Sequence, residues 1–176
     1  MTPKVREAKP EDARALGCVH VRAWQRAYRN GLMPDEYLRS LSSADRAQMW
    51  LQILQQAPGP RSSRLVLEGD EGEVVGFIVV GPVQEEDLTT GVGEIFALNV
   101  DPDVWGLGLG QALLAAGTGA LRLAGFVEAV LWVHPANGRA RSFYEGAGWE
   151  ADGAERRREV LGVGVPEVRY RKNLAQ

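Results

Sequence analysis

The sequence predicts a single α/β (α+β) domain over residues 1–176, built on a mixed, mostly antiparallel twisted sheet with helices on both faces. Two observations carry this prediction. A hairpin pattern in the middle of the chain indicates antiparallel pairing, and the two strand–turn–helix units after it require parallel or splayed neighbours covered by helices. A chain of 176 residues, 45% hydrophobic and 24% charged, is long enough to bury one substantial core.

The first third of the chain is predicted to be mostly helical. A short strand over residues 4–8 precedes Pro10, and the acidic residues after this proline are typical of the first turn of a helix. We expect this helix to run to about Arg29. A Gly-Leu-Met-Pro segment breaks it, and further helices are predicted over residues 35–41 and 43–56.

A loop rich in proline and serine, residues 57–63, marks the change from helices to strands. Residues 64–68 and 73–80 flank a Gly-Asp-Glu-Gly turn and predict an antiparallel hairpin. The hairpin feeds a central strand over residues 94–100, whose nearly continuous apolar run is typical of a strand buried on both faces.

The central strand leads into a glycine turn and a helix. Gly106, Gly108 and Gly110 stand at alternate positions and precede a run rich in Ala and Leu that Gly125 ends. Positions without side chains at a helix entrance leave backbone N–H groups pointing outward, where the helix dipole adds partial positive charge. This pattern indicates a phosphate site. The alternative is a glycine-rich turn that only packs the helix against the strand.

Two common phosphate-binding motifs are excluded by the residues around these glycines. A mononucleotide P-loop needs Lys-Ser or Lys-Thr after its last glycine, where this sequence has Gln111 and Ala112. A dinucleotide fingerprint that starts at Gly106 or Gly108 would need glycine in place of Gln111 or Leu113.

The segment Trp-Gly-Leu-Gly-Leu-Gly, residues 105–110, resembles the acyl-CoA pyrophosphate loop of the GNAT superfamily of N-acetyltransferases, written Gln/Arg-x-x-Gly-x-Gly/Ala. It departs from that pattern at Trp105, where the family has a basic or amide side chain. The order of elements is similar to the GNAT fold across nearly the whole chain, which implies splayed central parallel strands. The resemblance implies acetyl-CoA as co-substrate, with its pyrophosphate held mainly by the backbone of Gly106, Leu107, Gly108, Leu109, Gly110 and Gln111.

The rest of the chain repeats the strand–turn–helix unit and then returns to strands. A second buried strand is predicted over residues 127–133 and a helix over residues 138–145. The remaining segments are 149–152, a strand over 157–161, a turn at 162–164 and a last strand over 168–172.

The resemblance implies two more contacts with the acyl-CoA. In the family the pantetheine arm pairs with the backbone of the central strand, which corresponds here to Leu98, Asn99 and Val100. Asn137 stands just before a predicted helix, where asparagine is a good N-cap on local grounds alone. The family often has an asparagine here that contacts the cofactor, and the two roles are compatible.

Tyr144 is the candidate general acid. It follows Asn137 by about two helical turns and therefore lies on the same helix face. The surrounding segment Phe-Tyr-Glu-Gly-Ala-Gly-Trp is similar to the family's Phe-Tyr-Glu-x-x-Gly-Phe, which implies that Tyr144 protonates the departing thiolate. The alternative is a half-buried tyrosine that bridges helix and sheet.

Glu94 is the candidate general base. It begins an otherwise apolar strand, where partial burial would raise the pKa of its carboxyl group toward neutral pH. Many family members have a glutamate near this place, acting directly or through water. The alternative is a solvated or salt-bridged carboxylate at a strand end, with a water molecule as the base.

Trp24 and Tyr28 place two aromatic rings on one surface of the first helix. Two interpretations are open: a wall of the acceptor pocket, and packing in the core. Cys18, in the same helix, has no neighbouring base in the sequence and is expected to pack in the core rather than act as a nucleophile.

These observations predict an acetyl-CoA-dependent N-acetyltransferase that moves the acetyl group directly to a primary amine of a small molecule or peptide. The acidic run Glu85, Glu86 and Asp87 precedes the strand of Glu94 and favours an acceptor that is cationic in solution, with a solvated loop as the alternative. The alternative function is a non-catalytic acyl-CoA-binding or regulatory module of the same fold.

Composition argues against several other partners. A net charge of −3 disfavours nucleic acid, and one cysteine with two histidines predicts neither a disulfide nor a metal site. The polar start of the chain and the lack of a long apolar stretch predict no membrane association and a cytoplasmic protein. Homodimers are common in the family, so a homodimer is a further expectation.

Overall fold

The computed structural model describes residues 2–175, which form one seven-stranded sheet and five α-helices. The strands are β1 (Lys4–Glu7), β2 (Ser63–Glu68), β3 (Val74–Pro82), β4 (Val92–Val100), β5 (Glu128–Val133), β6 (Glu150–Val160) and β7 (Val163–Asn173). The helices are α1 (Ala13–Ala27), α2 (Asp35–Ser40), α3 (Ser43–Leu54), α4 (Leu109–Leu123) and α5 (Gly138–Gly146). Strands follow the order β1-β2-β3-β4-β5-β7-β6, and only the β4–β5 pair is parallel. The predicted mixed, mostly antiparallel sheet is confirmed.

One face of the sheet is covered by α1 and α3. Leu16 of α1, Trp50 of α3 and Phe77 of β3 belong to one buried cluster. Gly17 permits the close approach of the two helices, because a Cβ there would lie 2.6 Å from the backbone nitrogen of Ala47. This packing fixes α1 along the sheet and so sets the position of its C-terminal end.

The opposite face is covered by α4 and α5. Leu113 and Leu121 of α4 are fully buried in a second cluster with Ile78 of β3, and Phe143 of α5 packs against that cluster. A Cβ at Gly117 would overlap the Ile78 side chain, so this glycine lets α4 lie close to the sheet. Helices on both faces are therefore confirmed. Within the part of the chain that the structure describes, no helix has both the length and the apolar character needed to cross a membrane.

The parallel strands β4 and β5 separate soon after they pair. Residues 92–94 of β4 pair with residues 128–130 of β5, and the register ends there. On the other side of β4, a bulge against β3 leaves Phe96 unmatched between Ile95 and Ala97. The splayed central strands are therefore confirmed. The second half of β4 has its backbone groups on the β5 side free of strand pairing.

The sequence prediction was wrong about the end of the chain. The segments predicted separately, residues 149–152, 157–161 and 168–172, belong to one long hairpin of β6 and β7. The hairpin turns at Leu161 and Gly162, both with positive φ, as two-residue hairpin turns require. Most of β6 is a polar, exposed edge strand, so it lacks the apolar alternation by which strands are predicted.

The prediction for Cys18 was also wrong, because this residue is exposed on α1. Leu16 and Val19 take the buried positions of the same helical turn, with 1% and 3% of their surfaces exposed. The apolar stripe of α1 therefore passes on either side of Cys18 and leaves it outside the core.

Candidate active site

A cleft of about 600 Å³ opens where β4 and β5 separate. Its walls come from the end of α1, the second half of β4, the glycine turn before α4 and the first turns of α5. The predicted site residues that line it are Tyr28, Leu98, Asn99, Val100, Gly106, Gly108, Leu109, Gly110, Gln111, Asn137 and Tyr144. A cleft of this size is typical of small-molecule and cofactor sites.

The glycine turn presents bare backbone to the cleft. Gly106 and Gly108 have φ values of 83° and 78°, a conformation that favours glycine. A Cβ at either position would have no heavy atom within 4 Å. Gly108 begins α4 without a side-chain cap, so the N–H groups of Leu109 and Gly110 have no acceptor inside the helix. Backbone donors beside open space form the arrangement that suits a phosphate group.

Leu107, the remaining predicted residue of this turn, has a side chain that points to solvent and is 60% exposed. It is not among the cleft-lining residues of the described chain. The side chain of Leu107 therefore does not face the cleft. A contact between its backbone N–H and acyl-CoA stays a prediction.

Trp105, the departure from the family's loop pattern, is fixed beside the glycine turn. Its indole Nε1 donates a hydrogen bond of 2.7 Å to the carbonyl oxygen of Val100. The guanidinium carbon of Arg139 lies 3.7 Å from the centroid of the Trp105 ring, a cation–π stack. Sequence analysis missed Arg139 because it is far from Trp105 in the chain. Its place in the first turn of the helix after Asn137 was the only signal.

Asn137 caps α5. Its side-chain Oδ1 accepts a hydrogen bond of 3.1 Å from the backbone N–H of Ala140, which confirms the predicted N-cap. Because Oδ1 is used in this way, the side-chain amide N–H₂ is the group that faces other partners in the cleft. A contact between Asn137 and a cofactor stays a prediction.

Two tyrosines line the cleft within the described chain, Tyr144 and Tyr28. The Tyr144 ring packs edge-on against Phe143 and Trp149, with centroids 5.1 Å and 6.1 Å away. Burial raises the pKa of the Tyr144 hydroxyl, and the nearby Tyr28 raises it further. Across residues 2–175 this hydroxyl makes no hydrogen bond, while the half-buried ring packs against the core cluster of the sheet. The role of general acid and the alternative of a tyrosine that bridges helix and sheet therefore both stay predictions.

Glu94 is buried and is not among the residues that line the cleft in the described chain. Its side chain lies on β4 beside Gly81 of β3 and Val130 of β5, with 5% of the residue exposed. Burial raises the pKa of Glu94 to about 7, the negative charge of Glu85 adds to the rise, and the backbone N–H of Gln84 opposes it. Its Oε2 has no hydrogen-bond partner within the described chain. The alternative of a solvated or salt-bridged carboxylate does not hold, and the role of base stays a prediction.

An ionic cluster lies next to Glu94 on the same face of the sheet. It consists of Glu85, Asp87, Asp152, Arg156, Glu167 and Arg169. Arg169 is 7% exposed and approaches Asp152 to 2.7 Å and Asp87 to 3.2 Å. Glu85 accepts a hydrogen bond of 2.6 Å from the indole of Trp132, a residue of the cleft wall. The acidic run predicted to attract cationic acceptors is therefore mostly neutralised within the fold.

Trp24 is half-buried and packs where α1 meets the β6–β7 hairpin. It contacts a buried cluster that includes Met33, Leu38 and Val165, and its ring lies 5.1 Å from that of Tyr28. Among residues 2–175, it is not one of those that line the cleft. Of the two predicted aromatic residues, only Tyr28 reaches the cleft. A contact between Trp24 and an acceptor stays a prediction.

A smaller hollow of about 290 Å³ lies between the segment after α1 and the start of β7. His134 is its most buried polar residue, with 9% of its surface exposed, and burial lowers the pKa of its imidazole. The Nδ1 of His134 accepts a hydrogen bond of 3.0 Å from the backbone N–H of Ala136. This bond fixes the His134 ring within the turn that precedes α5.

The sequence profile of the Acetyltransferase (GNAT) family matches residues 24–149. Over 166 residues the chain is 32% identical to YuaI, an uncharacterized N-acetyltransferase of Bacillus subtilis, covering 93% of this chain and 89% of that protein. Over 85 residues it is 38% identical to the mycothiol acetyltransferase of Kocuria rhizophila, covering 48% of this chain. The chain spans only 28% of the length of that second relative.

Solved structures share the same fold. The PaiA N-acetyltransferase of Thermoplasma acidophilum, in complex with coenzyme A, superposes with a TM-score of 0.74 at 20% identity, covering 98% of this chain and 99% of the other. The likeness at this identity concerns the fold alone. The sequence profile and the Bacillus relative go further, and they show that this chain belongs to the GNAT family of acetyltransferases.

Proposed function

We propose that this acetyltransferase uses acetyl-CoA to acetylate a primary amine by direct transfer. The observation that carries the proposal is one cleft lined by a bare glycine turn, an unpaired strand edge and Tyr144. Membership of the GNAT family supports acetyl transfer in general. The coenzyme A held by the Thermoplasma neighbour supports the choice of donor.

The residues of the cleft suit an acyl-CoA. Open space beside Gly106 and Gly108 leaves room for the pyrophosphate, which the backbone N–H groups of residues 107–111 would hold. The pantetheine arm would pair with the unpaired backbone of residues 98–100. Both contacts use main-chain groups, so neither needs the side chain that the family's pattern has at position 105.

Glu94 would take the proton of the acceptor amine. When bound, acetyl-CoA supplies a thioester, and the C–N bond of the product forms as the C–S bond breaks. A neutral amine therefore loses one proton while the sulfur gains one, and an acceptor that arrives as an ammonium ion first releases one further proton, which passes to solvent. A carboxyl group with a pKa of about 7 is well matched to accept a proton at neutral pH. Since Glu94 is buried and does not line the cleft in the described chain, a water molecule would carry the proton from the amine to it.

Tyr144 would give a proton to the departing sulfur. Burial raises the pKa of this phenol, so it keeps its proton at neutral pH until a thiolate forms beside it. Its hydroxyl makes no hydrogen bond within residues 2–175 and is available to one partner in the cleft. Tyr28 and Trp132, which line the same cleft, would contact the small-molecule or peptide acceptor.

Two measurements test the proposal in turn. Calorimetric titration with acetyl-CoA, NAD and ATP is expected to show binding of acetyl-CoA alone. A panel of primary amines, with release of free CoA as the readout, is then expected to yield at least one acceptor, which mass spectrometry would show to carry one acetyl group. Failure to bind acetyl-CoA would refute the proposal. Binding without transfer to any amine would favour a non-catalytic acyl-CoA-binding module.

A further inference from the structure

Three arginines line the cleft with no carboxylate within 4 Å among residues 2–175: Arg26, Arg29 and Arg139. Six arginines elsewhere in the fold are ion-paired, namely Arg6, Arg22, Arg156, Arg158, Arg169 and Arg171. What distinguishes Arg26, Arg29 and Arg139 from the other unpaired arginines is that they line one cleft together. Unpaired cations gathered around one concave site produce a positive field that concentrates anions.

Arg139 differs from the other two because its position is fixed. Its guanidinium stacks on Trp105, and the Trp105 indole is held by its hydrogen bond to the carbonyl oxygen of Val100. Trp105 immediately precedes the glycine turn, so Arg139 sits beside the exposed backbone N–H groups of that turn. Stacking leaves the edge of a guanidinium free to donate hydrogen bonds in its own plane.

Arg26 reinforces the positive charge at this point. Burial lowers the pKa of the Arg139 guanidinium, and the like charge of Arg26 lowers it further. Because no acidic residue lines the cleft within residues 2–175, an anion bound there would be attracted by both. The planar fork of an arginine matches the oxygens of a phosphate group in two parallel hydrogen bonds.

We propose that Arg139, stacked on Trp105 and accompanied by Arg26, binds a phosphate group of coenzyme A. The family's loop pattern has a basic or amide side chain at the position of Trp105. In this chain Arg139 of α5 would take over that role by stacking on Trp105. The inference rests on the proposed use of acetyl-CoA. It adds a side-chain contact to a phosphate site otherwise made of backbone.

The test compares ligands with and without phosphates on matched variants. Arg139→Gln should raise the Kd for CoA roughly tenfold, the usual worth of a hydrogen bond to a charged group, and Arg26→Gln should raise it less. Both should leave the Kd for S-acetyl-pantetheine unchanged, because this ligand carries no phosphate. Arg14→Gln removes an exposed cation of α1 outside the cleft and should change neither. The dependence of the Kd for CoA on salt should also become weaker in Arg139→Gln.

A third ligand, dephospho-CoA, distinguishes the two possible phosphate sources. The same loss with CoA and dephospho-CoA would assign Arg139 to the pyrophosphate, and a loss with CoA alone would assign it to the 3′-phosphate. Unchanged CoA affinity in Arg139→Gln, or an equal loss with S-acetyl-pantetheine, would overturn the inference while leaving the proposed function intact. A wild-type protein that binds neither CoA nor acetyl-CoA would overturn both.

Discussion

The two ends of strand β4 differ in how their polar groups are satisfied. At the carboxyl end, the glycine turn faces open space, and Arg26 and Arg139 line the cleft without a carboxylate partner in the described chain. At the amino end, Glu94 is buried beside the ionic cluster, in which Arg169 alone approaches three carboxylates. On the proposed function, the carboxyl end receives the acetyl-CoA. The other holds the sheet together around a buried acid.

This difference predicts two kinds of mutational effect. Changes at the carboxyl end should act mainly on ligand binding, because few contacts of the fold are lost there. Changes in the ionic cluster should lower stability, because removing one buried charge leaves its partners buried and unpaired. Tyr144 lines the cleft without taking part in the ionic cluster, and its hydroxyl should affect neither binding nor stability strongly, only the chemical step.

The largest effect is expected for Tyr144→Phe in the rate of transfer. Loss of a positioned general acid should lower the single-turnover rate by roughly 10²–10⁴ with acetyl-CoA affinity nearly unchanged. Tyr28→Phe removes the other hydroxyl of the cleft and should lower this rate far less. Quenched-flow kinetics at saturating acetyl-CoA, with a melting curve for each variant, measures both. Equal rates in Tyr144→Phe and wild type would remove Tyr144 from the mechanism.

The next largest effect is expected for Arg169→Met, in stability. Leaving Asp152 and its neighbouring carboxylates without their buried cation should cost about 3–5 kcal/mol of unfolding free energy. Arg157→Met is the matched control, because Arg157 is exposed on the same hairpin and forms no ion pair within residues 2–175. Urea denaturation of both variants compares them. Similar losses would show that the ionic cluster does not stabilise this part of the sheet.

Gly108→Val should have the reverse profile at the other end of β4. A branched side chain in the open space of the turn should weaken acetyl-CoA binding roughly a hundredfold or more, about 3 kcal/mol. The positive φ of Gly108 adds about 1–2 kcal/mol of backbone strain. Gly119→Val, in an open position of the same helix α4, should bind normally. Calorimetric titration measures the affinity of each variant for acetyl-CoA. Wild-type affinity in a folded Gly108→Val variant would contradict a ligand-binding role for the carboxyl end of β4.

Glu94→Gln should change how stability depends on pH. Below the ordinary carboxyl pKa of 4.5, Glu94 is protonated in both the folded and the unfolded chain. Between 4.5 and about 7 the folded chain holds a proton that the unfolded chain releases, so the wild type loses stability as pH rises through this window. Relative to Glu94→Gln, this loss should amount to about 3 kcal/mol.

The exposed Glu86 provides the control for this measurement, since Glu86→Gln should leave the pH dependence of the wild type unchanged. Transfer by Glu94→Gln should also be impaired more at neutral pH than at high pH, where the amine deprotonates without help. An equal loss of transfer at every pH would argue against Glu94 as the base.

Much of the fold and one end of the site could be predicted because their signals are local. Alternating glycines specify a turn by backbone conformation, and Asn137 specifies a helix start by its side chain. Neither depends on knowing which distant residues meet. The β6 strand was missed for the opposite reason: its polar residues are stabilised by pairing with β7, which leaves no apolar pattern in the sequence.

The other end of the site depends on contacts that no local pattern specifies. Asp87 and Arg169 meet only because the connection before β4 folds over β7, and Arg139 reaches Trp105 only because α5 packs beside the glycine turn. The sequence therefore predicted a free acidic patch at residues 85–87, whereas Glu85 and Asp87 are ion-paired in the fold. The fold also brings Arg26 and Arg139 to the same cleft without a carboxylate partner in the described chain, which the sequence did not indicate.

Hydrogen exchange with and without acetyl-CoA tests most directly the claim that the cleft at the splayed strands is the donor site. We expect acetyl-CoA to slow exchange in peptides that cover residues 98–111 and 137–144, and to leave residues 31–35 and 163–166 of the smaller hollow unchanged. Protection confined to the smaller hollow, or no protection at the glycine turn under saturating acetyl-CoA, would contradict the account.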